Sequence, residues 1–105
     1  SKIEGKVVIE KGANIVQSTI RGPVIIGERT QVKNSYIGPF TSIYHDSRLE
    51  HCEIEHSIVL ENSSIENIKR IEDSLIGQNA VLAQSPLKPS AYRIMIGDSS
   101  RVEVP

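Results

Sequence analysis

Aliphatic residues recur along this chain at Ile3, Ile9, Ile15, Ile20, Ile26, Val32, Ile37, Ile43, Leu49, Ile54, Val59, Ile65, Ile71, Ile76 and Leu82, always five or six residues apart. That rhythm is neither the 3.6-residue period of a helix nor the two-residue period of a strand. Three consecutive gaps usually sum to seventeen, as from Ile9 to Ile26 to Ile43 and from Val59 to Ile76. A second pattern accompanies the first. Two places before most markers stands a small residue: Ala13, Ser18, Thr30, Ser35, Thr41, Ser47, Cys52, Ser57, Ser63, Ser74 or Ala80, with Val7 and Val24 as larger apolar exceptions. Residues i and i−2 share one face of a strand. Each unit therefore reads as a strand of about three residues and a turn.

Such units cannot stack as tight hairpins, because neither NG nor DG occurs anywhere in the chain. Three short strands per circuit instead make a triangular coil, each circuit lying about 4.8 Å above the last. The fold class is thus all-β, a single-stranded parallel β-helix of hexapeptide-like repeats. Ile9, Ile26, Ile43, Val59 and Ile76 form one internal ladder. Ile15, Val32, Leu49, Ile65 and Leu82 form a second, and Ile20, Ile37, Ile54 and Ile71 a third. A narrow interior cannot hold two large side chains per wall, which accounts for the small partner of each marker. A half-buried antiparallel sheet, the alternative, would not need three parallel registers.

One domain is expected over 1–105, with regular coils over 1–82, a loop over 83–93 and a terminal strand or cap over 94–104. Pro86 and Pro89 mark the loop, and Ile96, Ser100 and Val102 resume the six-residue unit. Glycine follows the marker at Gly27, Gly38, Gly77 and Gly97, where it suits tight or positive-φ geometry. Gln17, Asn34, His51, His56 and Asp73 precede the small residue of shortened units, and side-chain hydrogen bonds to the turn are the reason expected for them. One stretch breaks the rhythm. Regular spacing would put Lys69 into the small internal slot before Ile71, at the cost of burying an ammonium, so Ile68 is expected there with Lys69 or Arg70 bulging outward.

Composition narrows function by exclusion. Twelve basic against thirteen acidic residues, interspersed, argue against a nucleic-acid surface. No stretch is apolar for long enough to cross a membrane as a helix. One cysteine excludes an internal disulfide framework and points to a reducing, cytoplasmic setting. His45, His51 and His56 are the candidates for the general base of a hexapeptide acyltransferase, or with Cys52 for a metal site. Cys52, however, falls on an internal small position and reads as core. Glu53, Glu55, Glu61, Glu66 and Glu72 fall on outward or turn positions and form no defensible acid–base pair. No catalytic, cofactor-binding or metal-binding residue is assigned. Tyr36, Phe40, Tyr44 and Ile58 are the exposed apolar residues expected to meet another subunit.

The segments VVIEKGANIVQSTIRGPVIIG (7–27), NSYIGPFTSI (34–43), IEHSIVLENSSIENIKRIEDSLIG (54–77) and YRIMIGDSSRVEV (92–104) resemble the C-terminal domain of long-form glucose-1-phosphate thymidylyltransferase. The order of five- and six-residue units carries the likeness over almost the whole chain. The resemblance implies a left-handed coil, an exception to the usual crossover hand. It also implies a parent enzyme that joins dTTP and glucose 1-phosphate into dTDP-glucose with release of pyrophosphate. That chemistry, with its Mg²⁺, belongs to an N-terminal nucleotidyltransferase domain carrying a glycine-rich loop. None of those elements is in this sequence, so the chain is expected to be a non-catalytic fragment that oligomerises and stabilises its parent. The expected partners are the N-terminal domain and other copies of the chain, a trimer being common among such coils. The alternative remains a hexapeptide acyltransferase, for which an acetyl-CoA titration discriminates.

Overall fold

The computed structural model describes residues 1–84, 91–92, 95–96 and 101–104, with side chains described through residue 83. Every strand pairs in parallel with one a circuit away, forming three six-stranded sheets. The first face holds Lys2–Glu4, Thr19–Arg21, Tyr36–Ile37, Glu53–Glu55, Arg70–Glu72 and Ala91–Tyr92. The second holds Val7–Ile9, Val24–Ile26, Thr41–Ile43, Ile58–Val59, Leu75–Ile76 and Met95–Ile96. The third holds Asn14–Val16, Gln31–Lys33, Arg48–Glu50, Ser64–Glu66, Val81–Gln84 and Arg101–Val104. This stacked-coil solenoid matches a left-handed hexapeptide-repeat β-helix.

The three ladders read from the spacing are the pairing registers of the sheets: Ile9 with Ile26 with Ile43, Ile15 with Val32 with Leu49, and Ile20 with Ile37 with Ile54. From Ile20 onward these side chains are buried. In the first described coil Ile3 and Ile9 pair in register with the buried Ile20 and Ile26 and are 48% and 39% exposed. Ile68 is buried beside the ladder while Lys69 stays exposed, and Arg70 leans out to Glu53, Glu55 and Glu72.

The small slots do more than save volume. Ser18 donates its hydroxyl to the Val16 carbonyl at 2.8 Å and accepts the Ser35 amide from the next coil at 3.1 Å. Ser35 repeats the relay with Lys33 and Cys52, and Ser57 with Glu55 and Ser74. Corner backbone groups that fall outside the strand ladders are thereby satisfied.

The turns correct one expectation about mechanism. Gln17, Asn34, His51, His56 and Asp73 all have φ between 47° and 52°, as part of a wider left-handed set that includes Arg29, Phe40, Asp46, Asn62, Asn67 and Asn79. Left-handed backbone, which short polar side chains tolerate best, is the common feature of these positions. At Gly27 and Gly38 the requirement is instead close approach. A Cβ on Gly27 would sit 2.6 Å from the His45 nitrogen of the next coil.

At the C-terminal side, strand residues occupy both ends of the 83–93 segment read as a loop, at Ala83–Gln84 and Ala91–Tyr92; 85–90 lie outside the described residues. The terminal element expected over 94–104 is two strands on different faces, pairing with Leu75–Ile76 and Val81–Gln84 and so continuing the coil. Gly97 and Ser100 lie outside the described residues.

Candidate interface

From Val7–Ile9 to Leu75–Ile76 the second face turns one side chain per circuit outward, beside the inward marker. Stacking aligns these outward residues into a column: Val8, Ile25, Ser42, Ile58 and Leu75 in register. Four of the five are aliphatic and exposed. Phe40, 66% exposed, and Tyr44 border the column on opposite corners. The matching outward positions of the first face carry Lys2, Thr19, Tyr36, Glu53 and Arg70, and those of the third Asn14, Gln31, Arg48, Ser64 and Val81. The second face thus presents an apolar stripe broken only at Ser42 among the described residues. Its aliphatic and aromatic side chains expose on the order of 500 Å², at the upper end of what a monomer leaves uncovered.

Ser42 interrupts the stripe at mid-height with a shallow groove lined by Val8, Pro23, Ile25, Phe40 and Ile58. Phe40 holds φ at 61°, unfavourable for a bulky residue, and packs on the His56 ring at 5.3 Å between centroids. The neighbouring Thr41 has a buried hydroxyl oxygen with no hydrogen-bond partner. Local strain at this corner accompanies the most exposed aromatic ring among the described residues.

Of the four residues expected at a subunit contact, Phe40, Tyr44 and Ile58 gather on this face. Tyr36 does not. It sits half-buried on the first face, its ring 3.0 Å from where a Gly38 Cβ would be. Val8, Ile25 and Leu75 were missed by the sequence reading. Their signal was an aliphatic residue immediately before the marker, found at Val8, Ile25, Ile58 and Leu75 and otherwise only at Val81 before Leu82.

The three histidines stand at three different corners of the triangle. His45 lies between the second and third faces, His51 between the third and first, and His56 between the first and second. They converge on no common point. His45 Nδ1 lies 2.8 Å from Asp46 Oδ2, a carboxylate partner not anticipated from sequence. Asp46 is also held bidentately by Arg29 at 2.8 and 2.9 Å. The Arg29 hydrogen bonds, then that of His45, hold its carboxyl well below the usual range. The pairing orients the His45 imidazole. His51 approaches Glu50 at 4.0 Å, and His56 carries the Phe40 ring.

Cys52 lies in the core as expected, its Sγ 3.6 Å from Ser35 Oγ, and burial pushes its thiol up to about 12. A thiol so placed is a poor metal ligand or nucleophile. Among the described residues no three His, Cys, Asp or Glu side chains group as metal ligands would. Glu53, Glu55 and Glu72 do approach one another, but around Arg70. They therefore do not fit the Mg²⁺ that the resemblance implies for the parent enzyme. No described helix is long and apolar enough to cross a membrane.

No protein-family model matches the chain. Individual relatives do. It is 44% identical over 104 residues, 99% of its length, to a glucose-1-phosphate thymidylyltransferase of Streptomyces griseus. The enzyme of the same name from Streptomyces antibioticus is 46% identical over 100 residues, 95% of this chain. The chain is homologous to glucose-1-phosphate thymidylyltransferase. A low-salt glycan biosynthesis nucleotidyltransferase, Agl11 of Haloferax volcanii, aligns at 37% identity over 71 residues, 67% of this chain. The chain spans 29%, 28% and 20% of the lengths of these three relatives. The solenoid is consistent with the C-terminal domain of a thymidylyltransferase.

Proposed function

We propose that this chain is the oligomerising and stabilising β-helix module of a glucose-1-phosphate thymidylyltransferase, working in the cytoplasm and without catalytic residues of its own. The observation that carries the reading is the apolar stripe of Val8, Ile25, Ile58 and Leu75, flanked by Phe40 and Tyr44. Burying such a stripe against another copy removes apolar surface from water at roughly 25 cal/mol per Å². In this reading, synthesis of dTDP-glucose from dTTP and glucose 1-phosphate, with its Mg²⁺, belongs to the part of the enzyme that the chain does not span. The coil's tasks are to hold subunits together and to lend them a rigid, densely packed support.

Light scattering on the chain at high concentration tests this. A mass of two or more copies is expected, falling to one copy when Ile25→Glu places a charge in the stripe while leaving the coil's circular dichroism intact. A clean monomer at every concentration would sink the reading. The chain alone is also expected to release no pyrophosphate from dTTP and glucose 1-phosphate.

A further inference from the structure

At the corner between the second and third faces, outward polar side chains are spent on one another. Arg29 clamps Asp46, and Asn62 donates to Asn79 Oδ1 at 2.6 Å. The corner between the third and first faces differs. Gln17, Asn34 and His51 stack there in left-handed backbone. Among the described residues the Gln17 and Asn34 amides make no side-chain hydrogen bond, and His51 only approaches Glu50 at 4.0 Å. Beside them runs a shallow groove, bounded on the first face by Tyr36 and Glu53, with Lys69 of the fourth coil at one end. Lys69 is also where the repeat departs from itself. Leu49 and Ile54 stand five residues apart, whereas Ile65 and Ile71, their partners one coil on, stand six apart. The extra residue puts an ammonium in solvent, and the nearby carboxylates do not pair with it: Glu53, Glu55 and Glu72 gather on Arg70 instead. Insertions into a solenoid repeat map to loops on one face, often the one that binds.

We propose that this groove binds a sugar phosphate, with the phosphoryl group against Lys69 and His51 and the hydroxyls along Asn34, Gln17 and Tyr36. The Lys69 ammonium supplies charge-assisted hydrogen bonds to a phosphoryl oxygen. Amides and a phenol both donate and accept, as sugar hydroxyls do, so either partner can satisfy the other. Coils lie about 4.8 Å apart, so the four that line the groove span about 14 Å, room for a pyranose ring and its phosphate. Glu53 limits the charge of the ligand. Its carboxylate lines the wall, 3.7 Å from Arg70, and disfavours the longer anion of a di- or triphosphate. The groove lies at the corner opposite the second face, so binding does not depend on self-association.

An amide NMR titration of the chain with glucose 1-phosphate tests the site. Saturable shifts gathered on Asn34, Tyr36, His51 and Lys69 are expected, with glucose and inorganic phosphate each binding at least tenfold more weakly. Lys69→Gln should weaken binding at least tenfold. Lys11→Gln, which removes an exposed cation at the corner between the second and third faces, should leave it unchanged. Equal affinity for inorganic phosphate, or tighter binding of dTTP, would overturn the assignment to a sugar phosphate. Shifts that never saturate, that survive Lys69→Gln, or that Lys11→Gln diminishes equally would overturn the site itself.

Discussion

Cys52 occupies the slot that Ser35 fills one coil earlier, and its surroundings determine its chemistry more than its identity does. Burial favours the neutral thiol, so the folded pKa stands at about 12, above the ordinary thiol value near 8.5. The stability linked to this group is complete below the ordinary value and is lost as pH rises toward the folded one. Native protein at pH 8 is accordingly expected to resist a thiol reagent that labels it fully in denaturant; fast native labelling would contradict the burial. Asp46 behaves in the opposite sense. Its folded pKa is depressed by Arg29 and His45, so its contribution is present above the ordinary carboxylate pKa and lost as pH falls through the folded value. Asp46→Asn should lower the melting temperature at neutral pH. The gap from the parent chain should close in strong acid, as thermal melts across pH will show.

At the scale of the element, each strand is too short to persist alone, and the corner between strands carries the conformational cost. Left-handed residues recur at these corners, and the chain assigns many of them to asparagine and aspartate. Asn34, at φ 49°, illustrates the consequence. Asn34→Gly is expected to change stability by only a few tenths of a kcal/mol. Asn34→Val should cost about 1–2 kcal/mol, because a β-branched side chain crowds the following carbonyl there. Urea unfolding of the two variants provides the comparison. The sequence located these corners, but the reason suggested by the residue types was side-chain hydrogen bonding. Glutamine, arginine and phenylalanine occupy the same backbone region, which shows that backbone geometry is the shared requirement.

Across the whole molecule, the coils share three continuous ladders and one packed interior, so a defect in the middle is felt on both sides. Ile54, fully enclosed between Ile37 and Ile71, has no surface route by which the cavity left by a truncation can collapse. Ile54→Ala is expected to destabilise the chain by about 2–5 kcal/mol. It should lower the midpoint of the whole transition, read by circular dichroism, since coils are held by their nearest neighbours. The outer surface obeys a different logic. The first face is charged, with Arg70 gathering Glu53, Glu55 and Glu72. The second carries the apolar stripe, and in the proposed self-association this asymmetry directs the second copy to that side.

The interior was legible from sequence alone. Ile20, Ile37, Ile54 and Ile71, the small slots between them, and Ile68 in place of Lys69 follow from local alternation inside a space too narrow for two large side chains. Outward positions feel no such constraint, and their meaning is created by stacking. Val8, Ile25, Ile58 and Leu75 are far apart along the chain and become neighbours only because successive circuits lie in register. The corner at Gly38 and Pro39 separates Tyr36 from Phe40 although only three residues part them, and stacking places Asp46 on Arg29 across a coil. Local sterics wrote the inner face of this coil into the sequence, and only the registered stacking of circuits decided what its outer face presents.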